Sequence, residues 1–297
     1  MQEPISFDAL MPKEMANKAE NVGVSKVKVS FLRMFSLAIL AGAFIAMGAI
    51  FSTTATTVSG ALPFGVVRVL GGVTFSLGLI LVVVAGAELF TGNNLIVMAW
   101  ASRKVSSLQL LRNWVIVYAG NFVGAILTAY MMFLSKQYLM SGGALGLNAL
   151  TIAQTKTSLG FTQAIVLGIF CNALVCLAVW LCMSARTTTD RVMAIVPPIA
   201  AFVAAGFEHS IANMYFIPIG LFIKAGAPPE FWTAIGKTAA DFPKITWENF
   251  FVANLIPVTI GNIIGGAVMV GLVYWSIYQR RSMKAQASQP EVKATEN

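Results

Sequence analysis

Gly206-Phe207-Glu208-His209-Ser210-Ile211-Ala212-Asn213 drops a carboxylate and the chain's single histidine into the middle of a long apolar segment. A charge at the centre of a spanning helix costs roughly 2.5–3.5 kcal/mol on insertion scales, so ionisable groups at that depth usually face an interior pathway. From Val192 to Ile223 the segment would measure about 48 Å as one helix, against a hydrocarbon core of about 30 Å. It must bend or break, and the polar octapeptide marks where. A second stretch, Val66 to Ala101, is also too long for one crossing and carries its own break at Glu88-Leu89-Phe90-Thr91-Gly92-Asn93-Asn94. Irregular backbone at membrane depth survives only where protein or a water-lined cavity satisfies it.

Working outward, apolar runs at 31–51, 110–134, 161–183 and 249–278 complete six crossings. The 297 residues are 57% hydrophobic and 11% charged, a balance that excludes an ordinary soluble domain. The net charge of +8 fits contact with anionic head groups rather than nucleic acid. One histidine and no Cys-x-x-Cys leave too few ligands for zinc, and no cofactor motif appears. Cys171, Cys176 and Cys182 read as small core residues. The first thirty residues have no hydrophobic core, so no cleavable signal peptide is expected.

Residues 1–30 form an amino-terminal segment with a short helix, opening at Pro12 and closing near Gly23, with Met15, Ala19 and Val22 on one face. It reads either as a surface helix or as a plug under a pore. The channel domain spans 31–278, with halves at about 31–136 and 161–278, and a polar tail follows at 279–297. The stretches 136–160 and 224–248 read as outer loops. Placing both ends inside leaves only Arg68, Lys136, Lys156, Lys224, Lys237 and Lys244 of the 20 Lys and Arg outside. Both termini are therefore expected in the cytoplasm.

Gly86-Ala87-Glu88 with Asn93 recurs as Gly206-Phe207-Glu208 with Asn213, and Gly120-Asn121-Phe122-Val123-Gly124 recurs as Gly261-Asn262-Ile263-Ile264-Gly265. Both echoes fall at equivalent positions of two three-span halves. Three is odd, so the halves lie inverted. The expected architecture is an all-α membrane protein of six transmembrane helices in an inverted repeat, the second and fifth broken. Such repeats put a site near the midplane, with positive helix ends aimed at it, which suits a small anion.

At that waist His209 offers a donor, or a charge when protonated, and Thr91 in the matching break offers a hydroxyl. In a soluble core a buried histidine satisfied by a backbone carbonyl would be the preferred reading, but at membrane depth beside a break the position favours a functional one. Glu88 and Glu208 read as structural, accepting from backbone amides freed at the breaks, because a carboxylate lining the path would repel an anion. Asn172 and Asn262 read as interhelix hydrogen-bonding amides. Phe75, Leu79, Leu89, Phe90 and Phe202 are ordinary packing residues by composition. Lys156 reads as solvated surface, or as a cation concentrating anions at a mouth.

The chain resembles the formate/nitrite transporter family along most of its length. Gly86 to Thr91, Gly206 to Met214 with Ile217-Pro218, and Asn254-Leu255-Ile256-Pro257-Val258-Thr259-Ile260-Gly261-Asn262 carry the resemblance. It implies an aquaporin-like protomer, a homopentamer with one pore each, and passage of formate across a bacterial inner membrane, with nitrite, acetate or hydrosulfide as further monovalent anions. It implies His209 and Thr91 as the central site and Leu79, Leu89 and Phe90 as the cytoplasmic constriction. Phe75 and Phe202 would form the outer constriction, Asn172 and Asn262 the polar side, and Lys156 an attractor at the outer mouth. Glu88 and Gly92-Asn93-Asn94 depart from the formate pattern of Asp followed by Ser and Thr, toward the nitrite branch. A proton shared with His209 would let the neutral acid cross a slit that excludes ions. A nitrite or hydrosulfide channel is the rival within transport, and a neutral-solute pore the rival outside it. No nucleophile and base pair near His209 points to an enzyme.

Overall fold

Two glycines in the left-handed region, Gly86 at φ +84° and Gly206 at φ +79°, end the helices that run into the two polar breaks. Side chains disfavour that region, which explains glycine at both positions. The computed structural model describes residues 9–57 and 62–280, and these are helical with no strand among them.

Helix α1 (Pro12–Val27) precedes α2 (Phe31–Ala55), and α3 (Phe64–Ile80) continues through a π-helical turn (Leu81–Gly86) to the first break. Beyond it come α4 (Phe90–Asn93), a 3₁₀ turn, α5 (Val97–Ala101) and α6 (Ser107–Leu134). The second half repeats the order with α7 (Ala144–Thr157), α8 (Phe161–Ser184), α9 (Thr188–Ala205) and, after the second break, α10 (Ser210–Gly226). A short α11 (Pro229–Ile235) leads to a last span in which α12 (Trp247–Asn249), α13 (Ile256–Ile263) and α14 (Val273–Tyr278) are joined by π-helical stretches.

Among the described residues six helices are long and apolar enough to cross a membrane: Phe31–Ala55, Phe64–Gly86, Ser107–Leu134, Phe161–Ser184, Thr188–Ala205 and Trp247–Tyr278. Each overlaps one of the six expected crossings, the second and fifth ending at the breaks, with α4 and α10 beginning beyond them. The halves pack alike: α2 lies against α3 and α6, as α8 lies against α9 and α13, and α3 crosses α9 between them. Leu108, Leu111 and Val115 on α6 and Phe161, Val166 and Phe170 on α8 face outward, as lipid or a neighbouring protein requires.

Several local expectations are corrected. The stretch 136–160 is not a plain loop, because it contains the fourteen residues of α7. Its Lys156 and Phe161 repeat the spacing of Lys26 and Phe31, so α7 is the counterpart of α1. Helix α1 runs past Gly23 to Val27, since Gly23 sits against Ile96 and Ala99 and needs no turn there. Pro197 and Pro198 lie inside α9, and Pro218 inside α10. Helix α1 is docked, with Met15, Ala16, Ala19 and Val27 buried. Gln279 Nε2 donates to Asn17 Oδ1 at 2.8 Å, so α1 and the end of α14 meet at one face. The expected tail lies outside the described residues beyond 280.

Candidate functional site

Each break leaves backbone groups without helical partners, and buried polar groups must be satisfied. Glu88 N–H donates to Leu37 O at 3.2 Å and Glu208 N–H to Leu167 O at 3.3 Å. Phe90 N–H donates to Asn121 Oδ1 and Ser210 N–H to Asn262 Oδ1, each at 2.9 Å. The same two amides donate back, Asn121 Nδ2 to Ala38 O and Glu88 O, and Asn262 Nδ2 to Gly168 O and Glu208 O. Asn121 and Asn262 are thus equivalent pins, each stitching an extended segment to the preceding span. Their recurrence in the Gly-Asn-x-x-Gly echo was the signal for this role.

The two carboxylates accept from side chains rather than from the freed amides expected. Glu88 accepts from Lys26 Nζ at 2.7 Å and from Asn93 Nδ2 at 2.7 Å, not from freed amides. Glu208 accepts from Lys156 Nζ and Asn213 Nδ2, both at 2.7 Å, and from Asn254 Nδ2 at 3.1 Å. Asn113 and Asn254 close the two clusters by accepting from Asn93 and Asn213. Lys156 is therefore neither on a loop nor a solvated ammonium. Its side chain is 15% exposed and paired.

His209 caps α10. Its Nδ1 accepts from Ala212 N–H at 3.0 Å, so in the neutral ring the proton sits on Nε2, which lies 2.9 Å from Thr91 Oγ1. Thr91 accepts there, leaving its own hydroxyl proton to donate elsewhere. Both residues are buried. Phe202 stacks on the imidazole with centroids 6.0 Å apart and meets Phe75 edge-on at 5.7 Å.

A cavity of about 360 Å³ reaches this group, lined by Phe75, Phe202, Phe207 and His209 and also by Arg68, Asn148, Thr151 and Lys156. Thr91 lies behind His209, outside the lining. Leu79 and Leu89 are buried in the main core, and the Phe90 ring is held edge-on by Trp114 and Tyr118 of α6. Asn172 Nδ2 reaches Asn94 Oδ1 at 2.8 Å and Asn262 O at 2.6 Å. Asn172 and Asn262 brace helices, and neither lines the cavity. Lys26, Asn113 and Arg68 are site residues that composition alone did not single out.

The profile described as formate/nitrite transporter matches residues 13–276. The formate channel FocA of Escherichia coli K12 is 51% identical over 276 residues, which are 93% of this chain and 97% of that protein. FocA of Haemophilus influenzae is 41% identical over 270 residues, covering 91% and 95%. A solved structure described as a pentameric formate channel with formate bound superposes at a TM-score of 0.80 with 50% identity, over 84% of this chain and 97% of that one. With the inverted halves and paired breaks already in view, the match over nearly the whole chain means that this protein belongs to the formate/nitrite transporter family.

Proposed function

We propose that the protein passes formate across a bacterial inner membrane through a pore in each protomer of a homopentamer. The observation that carries this reading is the buried His209–Thr91 pair at the end of a cavity narrowed by Phe75 and Phe202. The curated relatives named as formate channels, and the related pentamer with formate bound, support it.

An anion leaving the outer cavity sheds water against two aromatic rings and needs donors in return. With Nδ1 committed to Ala212, the neutral imidazole's Nε2–H faces Thr91 Oγ1, and an anion arriving there takes over that N–H while the Thr91 O–H turns to its second oxygen. The two carboxylate oxygens of formate match that donor pair. A proton taken up from the aqueous side by the ring and passed on to the anion neutralises it, the ring returning to its neutral form, and the neutral acid crosses the apolar stretch formed by Leu79, Leu89 and Phe90 at less desolvation cost. Extra charge on the ring would displace the Ala212 amide from Nδ1, which ties protonation at His209 to the cap of α10.

Formate uptake into proteoliposomes across a range of pH tests the reading. His209→Phe is expected to lower the rate at least tenfold and flatten its pH profile; an unchanged rate with an unchanged profile removes His209 from the mechanism. Glu88 with Gly92-Asn93-Asn94 favours nitrite as the second reading. Competition by nitrite, acetate and hydrosulfide in the same assay ranks the anions, and formate ranking last would overturn the first choice.

A further inference from the structure

We propose that Arg68, rather than Lys156, supplies the positive charge that draws anions into the outer cavity, an inference that rests on the anion-channel reading above. Among the described residues, three charged side chains line that cavity: Arg68, Lys156 and Glu208. Lys156 and Glu208 are joined at 2.7 Å into a pair of zero net charge, whose field dies away with distance faster than that of a single cation. Arg68 joins no ion pair among the described residues. The stretch 53–65 leading into its helix contains no charged residue, so no carboxylate reaches it from there.

Its partners are neutral. Arg68 Nε donates to Ala204 O at 3.0 Å and Nη2 to Val203 O at 2.6 Å, two carbonyls in the last turn of α9. A helix carboxyl end carries about half a negative charge, and here it faces the cavity that an anion must enter. Arg68 covers that end and leaves a surplus of positive charge. Removing it deletes the cation and uncovers the carbonyls together, so both changes repel the anion. Gly206 fits the arrangement, since a Cβ there would come within 3.2 Å of the Arg68 guanidinium.

The test is anion flux into proteoliposomes of the full chain at ionic strengths from about 0.01 to 1 M, where the screening length falls from about 30 to 3 Å. Arg68→Gln is expected to lower low-salt flux about three- to tenfold and to match the parent at the highest salt. Arg68→Lys keeps the charge and is expected to keep most of the flux. Thr151→Lys, from an exposed position on α7 lining the same cavity, is expected to restore the salt dependence to Arg68→Gln without touching α9. A salt profile of Arg68→Gln identical to the parent's overturns the proposal. So does a loss equal at every salt concentration and untouched by Thr151→Lys, which would mark Arg68 as a helix cap alone. The series is run with formate and with nitrite. A parent that passes nitrite but not formate overturns the substrate reading while Arg68 is scored on nitrite, and a parent that passes neither overturns both.

Discussion

Glu208 and Glu88 occupy equivalent positions but not equivalent surroundings. The Lys156–Glu208 side chains are 15% and 6% exposed, whereas Lys26–Glu88 are 26% and 10% exposed. Glu208 also accepts from two asparagines, Asn213 and Asn254, where Glu88 accepts from Asn93. Truncating one partner of a buried pair strands the other charge at a cost of about 3–5 kcal/mol. Glu208→Ala is therefore expected to lower the melting temperature in detergent well beyond Glu88→Ala. Equal losses would mean that the extra asparagine and the deeper burial count for nothing. A carboxylate at depth was plain from the sequence, but its donors were not, because Lys156 lies 52 residues away and nothing local announces the pairing.

At the scale of elements, the inverted repeat extends beyond the three-span halves legible in the two echoes. Helices α1 and α7 belong to it, and each sends a lysine to the carboxylate of its half's break. Short helices of mixed composition carry no hydrophobic run, which is why α7 reads as a loop in the sequence. The spans cross closely where the echoes put glycine. A Cβ at Gly124 would collide with the carbonyl of Ile39, and one at Gly265 with that of Ile169. Backbone neighbours cannot rotate aside as side chains do. Gly124→Ala and Gly265→Ala are each expected to destabilise the detergent-solubilised protein by about 1–3 kcal/mol. If only one does so in thermal unfolding, the two crossings are not equivalent.

For the whole molecule, the meeting of Gln279 with Asn17 puts both described ends at one face, opposite the mouth lined by Arg68 and Thr151. The positive-inside rule predicts that face to be the cytoplasmic one. A carboxyl-terminal fluorescent protein that matures only in the cytoplasm is expected to light up, and the mass in mild detergent is expected to be that of five chains. A dark fusion reverses the orientation, and a monomeric mass removes the pentamer. The outward apolar side chains of α6 and α8 must meet lipid or another protomer in either case.

The sequence by itself determined the number of crossings, the two places where helices stop, the inverted relation of the halves, and a histidine at one break. Those are properties of local apolar length, glycine placement and repeated spacing, all written in consecutive residues. Only the tertiary structure decided that Asn121 and Asn262 pin the breaks, that Lys156 is neutralised by Glu208, and that Arg68 is left with carbonyls for company. Each of these depends on which atoms distant segments bring within about 3 Å, the reach of a hydrogen bond. Spacing along the chain does not encode that.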